Sequence, residues 1–331
     1  MLTQGAYVHL DHDTVRVEIR DQPGLQVPLH HLEGLVVFGN VLLSPFLIHR
    51  FAGEGKAIVW FDEHGRFEGR LVGPTSGNVL LRKAQYEMLD EPGKLLYLAR
   101  QFVSGKIRNS RTVLQRAARE SPARAVELGE AVKTLGQALR ELERATTLDE
   151  VRGIEGQSAA TYFAALSAMI RPETGFHFEK RIRRPPRDPV NSLLSFAYAL
   201  LTNDCSAALE GVGLDPQVGY LHTLRPGRPA LALDLVEELR PILADRLALT
   251  LINRMQVTQE DFVVRPGGAV VLTDAGRRKF LAAYQKRRRE EVTHPMLRQQ
   301  VPLGLVPHVQ ARLLARYVRG DAASYLPFLV R

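Results

Sequence analysis

Cysteine is almost missing from this chain of 331 residues. The single Cys205 excludes a disulfide within the chain and any zinc site built from several thiolates of one chain. Long apolar runs are missing too, and none approaches the roughly 20 residues that a membrane-spanning helix needs. The opening residues MLTQGAYVHLDHD lack the basic-then-apolar order of a secretory signal. Internal repeats and low-complexity tracts are also lacking. These absences lead us to expect a soluble, cytoplasmic protein with no membrane association.

What is present is ordinary globular composition, 45% hydrophobic and 24% charged, at a length that suggests two domains. Lys and Arg number 44 against 36 Asp and Glu, a net charge of +8. Residues 1–85 hold 8 basic and 9 acidic side chains, which leaves 36 and 27 for the remainder. The excess therefore lies in the C-terminal part, where a polyanion is the expected partner. At this charge a generally basic soluble protein is an equally good reading.

The text itself changes along the chain. AYVHL, TVRVEI, GLVVF, AIVWF and FEGRLV are short, rich in β-branched and aromatic residues, and punctuated by glycine, as strands are. SPFLIHRFAGEG reads as one helix among them. From about Gln85 onward, apolar residues recur at three- and four-residue steps, so helix dominates. The expected class is α+β: a small N-terminal β domain over 1–72, a linker over 73–84, and a larger all-helical domain over 85–331. The Pro- and Arg-rich segment 171–189 reads as an exposed loop.

Three places in the helical region hold acid or imidazole groups suited to a metal. In TLDEVRGIEGQSAATYFAAL, Thr147 and Glu150 have capping-box spacing, so a helix starts there and Glu155 lies about two turns in. Its neighbours Gly153, Gly156, Ser158, Ala159 and Ala160 are small enough for another helix or a substrate backbone to approach. Taken alone, a solvated surface glutamate is the plainer reading. In GLDPQVGYLHTLRPGRPA, His222 precedes a Pro/Gly-rich loop, and a lone histidine is more often structural. In LALDLVEELRPILADRLAL, Asp234 and Glu237 share one helical face and Pro241 predicts a kink. Alone, that segment reads as an amphipathic helix with a charged outer face. Together the three offer hard oxygen and imidazole donors, which suit Mg2+ or Mn2+ and metal-assisted phosphodiester chemistry in a basic domain.

VRGIEGQSAATYFAAL, DPVNSLLSFAYALLTND and GLDPQVGYLHTLRPGRPALALDLVEELRP resemble the CRISPR-associated integrase of spacer acquisition, the Cas-one family. The third is the most specific, joining Gly-x-x-His, a loop, Asp-x-x-Glu and Arg-Pro. The C-terminal VPHVQARLLARYVRGDAASYLPFLVR resembles the type I-C branch. The resemblance covers nearly the whole chain. It implies a dimerising β domain and a helical catalytic domain with one glutamate, one histidine and one further carboxylate as metal ligands. These map onto Glu155, His222 and Glu237, with Asp234 as a nearby catalytic acid, either ligand or support. The family more often has aspartate at the third position, and glutamate keeps the charge on a longer arm.

The resemblance also implies the activity: a DNA endonuclease/integrase in which a pre-spacer 3′-hydroxyl attacks a phosphodiester at the edge of a CRISPR repeat. The implied partners are double-stranded DNA, a second copy as homodimer, and the small Cas-two protein in a heterohexamer. Candidate DNA contacts are Lys106, Arg108, Arg111, Arg181, Arg183, Arg184, Arg240 and the run KRRR over 286–289, with Asn191 near the site by motif position. Two other readings remain. A repair or junction-resolving nuclease would use the same ligands, and genomic neighbourhood separates it. A non-catalytic architectural DNA-binding protein needs only the basic domain, and metal-dependent cleavage separates it.

Overall fold

The computed structural model describes the chain apart from residues 21, 33, 64, 66, 72, 74–78 and 331. It divides into two compact units, Met1–Ser76 and Gly77–Arg331.

In the first unit, β1 (Tyr7–Asp11), β2 (Thr14–Ile19), β3 (Gln22–Pro28) and β5 (Leu42–Leu43) form one sheet in the order β3-β2-β1-β5. A second sheet takes β4 (Gly34–Phe38), β6 (Ala57–Phe61) and β7 (Phe67–Leu71) in sequence order. The β1–β5 and β4–β6 pairs are parallel and the others antiparallel. β2 shows the two-residue period plainly: Val15 and Val17 are buried while Glu18 is exposed. The helix α1 (Pro45–Gly53) begins where Ser44 caps the amide of Leu47 and buries Leu47 and Phe51. These side chains meet Val8, Val37 and Ile58 in the unit's core. β3 has no counterpart among the expected strands, because QPGLQVP is exposed almost throughout and has no apolar alternation.

The second unit is built on helices: α2 (Val79–Glu87), α3 (Pro92–Glu120), α4 (Ala125–Arg144), α5 (Leu148–Ala164), α6 (Pro189–Val212), α7 (Ala230–Arg240), α8 (Arg246–Asn253), α9 (Asp274–Arg289) and α10 (Val306–Val318). Of the expected linker 73–84, residues 74–78 lie outside the described residues and 79–84 belong to α2. Two hairpins, β8 (Phe262–Val264) with β9 (Val270–Leu272) and β10 (Glu291–His294) with β11 (Gln299–Pro302), correct the expectation of an all-helical domain. The segment 171–189 is anchored rather than wholly exposed. Phe176 and Phe178 are buried, although Arg183 and Arg184 face solvent.

α3 spans about 43 Å at 1.5 Å per residue and packs along α4, α5 and α7. It buries Leu98, Phe102, Ile107, Val113 and Leu114, each worth about 1.5–3 kcal/mol of transfer. At Gly105 a Cβ would meet Pro327 Cβ at 2.7 Å and Glu238 Cβ at 2.8 Å, so only glycine lets α3 lie this close to α7. The C-terminal residues 325–330 complete that seam. Asn109 Nδ2 donates to the carbonyls of Glu238 and Phe328, and its Oδ1 accepts the amide of Val330.

Candidate metal and catalytic site

α5 starts as its sequence predicts, with Thr147 and Glu150 bonding reciprocally in a capping box. Two turns on, Glu155 projects from a partly exposed position. A Cβ added at Gly153 or Gly156 would meet nothing within 4 Å, so no helix crosses there and the small residues border open space.

The loop between α6 and α7 brings in His222. Gly219 lets this loop lie on the start of α7, since a Cβ there would stand 2.6 Å from the Ala230 carbonyl carbon. The loop is fixed by Asp234, which is fully buried. Its Oδ2 accepts the amides of Tyr220 and Leu221 at 2.6 and 3.0 Å. Its Oδ1 accepts the amide of His222 at 3.0 Å and Nδ1–H of the same residue at 2.7 Å. Asp234 therefore has no lone pair free for a ligand, and it fixes the His222 tautomer so that Nε2 faces Glu237 Oε1 at 3.9 Å.

α7 is buried on both sides, so it is not the amphipathic helix with a charged outer face that the pattern allowed. Glu237 is 6% exposed, with Lys106 Nζ 2.6 Å from its Oε2 and Arg240 Nη1 3.3 Å from both oxygens. Burial pushes its carboxyl up, but Lys106, Arg240 and His222 outweigh this and hold it well below the usual carboxylate range. The same ammonium of Lys106 also donates to Glu155 Oε1. Glu155, Glu237 and, behind Glu237, His222 are thus brought together from three separate stretches of chain.

Among the described residues no three His, Cys, Asp or Glu side chains are drawn close enough to enclose an ion. The geometry gives the reason, because the ammonium of Lys106 lies between the two carboxylates. The donor set itself fits a hard divalent cation: two carboxylates that share one ammonium, and an imidazole whose outer nitrogen is turned to Glu237.

Two expected DNA contacts are corrected here. Lys106 is 4% exposed and committed to the carboxylates, and Arg240 is 5% exposed. Arg240 lies beneath Glu237 with its guanidinium 4.3 Å from the Tyr198 ring centroid and 5.6 Å from that of Phe163. Below it the Tyr198 hydroxyl donates to Asp245 at 2.5 Å. Asp245 closes a π-helical turn, Pro241–Asp245, which begins at the proline where a kink was expected.

The other basic candidates divide. Arg108, Arg183 and Arg184 are exposed, as are Lys286 and Arg289. Arg111 is tied to the Val132 carbonyl on α4. Arg181 bonds Asn191 Oδ1 and Ser195 Oγ, Arg287 bonds Glu290 and the Ile242 carbonyl, and Arg288 pairs with Asp204. Asn191 is a structural hub. Its side chain also bonds the Ile182 amide, the Lys180 carbonyl and Asp188.

One carboxylate had no signal in the sequence. Glu238, next to Glu237 but directed to the other side of α7, accepts bonds from Gln310 Nε2, the Tyr325 hydroxyl and the Phe328 amide. Burial pushes it up to about 8 against those three bonds.

Comparison with known proteins identifies the family. The family model for CRISPR associated protein Cas1 matches residues 1–286. This chain belongs to the Cas1 family. It is 54% identical to a CRISPR-associated endonuclease Cas1 of Moorella thermoacetica, covering 100% of this chain and 97% of that one. A solved Cas1 protein from Thermotoga maritima superposes with a TM-score of 0.82 at 25% identity, covering 97% of this chain and 96% of that one. A chain of a Cas6-RT-Cas1–Cas2 complex shares the fold at 24% identity and a TM-score of 0.82, covering 100% of this chain and 35% of that chain.

Proposed function

We propose that this Cas1 family member is a divalent-metal-dependent DNA endonuclease/integrase, joining a pre-spacer 3′-hydroxyl to a CRISPR repeat in the adaptation stage of antiviral defence. The observation that carries the reading is that Glu155 and Glu237 share the ammonium of Lys106 beside an open face of α5, with Nε2 of His222 3.9 Å from the other oxygen of Glu237. Glu155, His222 and Glu237 are the proposed ligands of Mg2+ or Mn2+. A metal bound there supplies positive charge to the phosphoryl oxygens and lowers the pKa of the attacking hydroxyl.

The chain's own residues do the rest. Asp234 holds His222 in one tautomer and one orientation. Arg240 keeps Glu237 ionised from below, where water does not reach. The open face at Gly153 and Gly156 admits a sugar–phosphate backbone to Glu155. No side chain at the site is an activated nucleophile: Ser158 Oγ is buried without a partner, Thr223 is exposed, and burial pushes the distant Cys205 thiol well up. The attacking oxygen therefore comes from outside the protein. It gives up its proton as it bonds to phosphorus, and the leaving 3′-oxygen of the repeat strand takes one up. One phosphodiester replaces another, so the reaction is reversible on branched products.

Arg108, Arg183 and Arg184 are the proposed phosphate contacts. Dimerisation through residues 1–72 and assembly with a Cas2 protein as a heterohexamer belong to the same reading. Light scattering of the full chain then reports a dimer at micromolar concentration, and a strict monomer contradicts it. The cytoplasm is the expected compartment, and among the described residues no helix is long and apolar enough to cross a membrane. The deciding experiment supplies a repeat-bearing plasmid, Mn2+ and a pre-spacer ending in 3′-deoxynucleotide. Joining should vanish while duplex binding persists. Joined product at the blocked end, or a protein–DNA adduct, overturns the direct transesterification.

A further inference from the structure

Lys106 does not behave as a surface cation. Its side chain is 5% exposed, and its ammonium contacts Glu155 on α5 and Glu237 on α7 at once. The helix that carries it cannot retreat freely. Gly105, directly before it, is wedged against Glu238 and Pro327, and Asn109, one turn on, is bonded to the Glu238 carbonyl. The stem of Lys106 is therefore held over the two carboxylates by a close helix contact. One monovalent charge here separates two carboxylates that would otherwise repel each other in a poorly hydrated place.

We propose that Lys106 is a built-in competitor for the metal: its ammonium holds the ligand carboxylates in the metal-free protein and must leave their common point when a divalent cation enters. The inference rests on the metal-site reading above. An ammonium and a divalent cation a few ångströms apart repel, so the lysine raises the metal concentration needed to fill the site. It also holds the two carboxylates together. Lys106 is thus a positioning residue for Glu155 and Glu237, and the site exchanges one counter-cation for another instead of forming from bare acids.

The test titrates the full-length chain with Mn2+, reading free metal by electron paramagnetic resonance and stability by thermal melting, without DNA. Lys106→Met keeps the stem and removes the charge. It should bind Mn2+ about tenfold more tightly, a modest step on the affinity scale. It should also melt lower in chelator and gain more from Mn2+ than the wild type does. Arg119→Met, which removes an exposed cation near the end of the same helix, should bind Mn2+ as the wild type does. If Lys106→Met does not fold, Lys106→Gln, uncharged but able to hydrogen-bond a carboxylate, is read the same way. Mn2+ affinity that is unchanged or weaker in these variants overturns the competitor role. Glu155→Gln separates the two readings. If it abolishes Mn2+ binding while the Lys106 variants change nothing, only the competitor role fails. If it binds like wild type, the metal site itself is wrong, and the inference falls with it.

Discussion

On the side of α7 that faces α5, Glu237 is buried yet ionised, because Lys106 and Arg240 lie against it. One residue later and on the other side, Glu238 is buried as deeply, but its partners are an amide side chain, a phenol and a backbone amide. With no cation among those partners, burial pushes it up to about 8. Burial alone does not decide in which direction a carboxyl group is shifted. The charge of the groups around it does, and here two adjacent residues of one helix fall on opposite sides of that divide.

The difference can be broken from the ionised side. Glu237→Ala or Glu155→Ala should reduce joining by about a hundred- to a thousandfold, the scale of removing a preorganised charge-stabilising group. Duplex affinity, read by filter binding, should stay within about twofold, since no cation is removed. Retained joining in either variant would defeat the assignment. Asp234→Asn probes the support of the site. The amide cannot accept all four bonds that the carboxylate takes from the loop, so His222 loses its fixed tautomer. We expect joining to fall about 10- to 100-fold, as for the loss of groups that orient a metal-binding histidine.

The neutral side is probed by pH. The Glu238 carboxyl is raised from 4.5 to about 8, so its contribution to stability is fully present below about pH 4.5 and is lost as pH rises through about 8. Glu238→Gln removes that titration. Melting temperature of the variant should decline less steeply than the wild type's between those two pH values. Parallel curves would show that Glu238 is not neutral in the fold. The smallest effect is expected far from α7. Arg183→Ala with Arg184→Ala should lower the slope of log affinity against log salt by up to about 1.8, with joining per bound complex unchanged. An unchanged salt slope would remove both from the DNA surface.

Much of the architecture was legible in the residues. The two-residue period of TVRVEI, Ser44 before α1 and the Thr147–Glu150 box each appear where local chemistry puts them, because each depends on neighbours in sequence. The same holds for bringing Asp234 and Glu237 to one helix. β3 was not legible, since its ladder is made of backbone bonds and its side chains are exposed. The β8–β9 hairpin carried a usable signal, Pro266–Gly267–Gly268 between two valine pairs, with both glycines at positive φ. The roles of Lys106 and Arg240 were hidden for a different reason. Both looked like DNA-binding cations by charge and spacing, and only the tertiary fold turns them inward onto Glu155 and Glu237. Glu238 was hidden likewise, because Gln310, Tyr325 and Phe328 lie more than seventy residues along the chain.

The segment 325–330 laid across α3 and α7 has a consequence for the order in which the unit folds. Asn109 waits for partners 219 and 221 residues downstream, and Glu238 for one 90 residues downstream. Until that segment is in place, Glu238 lacks its Tyr325 and Phe328 partners. Closure of the unit is therefore expected to be a slow step of folding, as is typical of contacts so distant in sequence. A nascent chain stalled before residue 325 should bind chaperones and resist proteases poorly, whereas one stalled after residue 330 with a linker long enough to clear the exit tunnel should not.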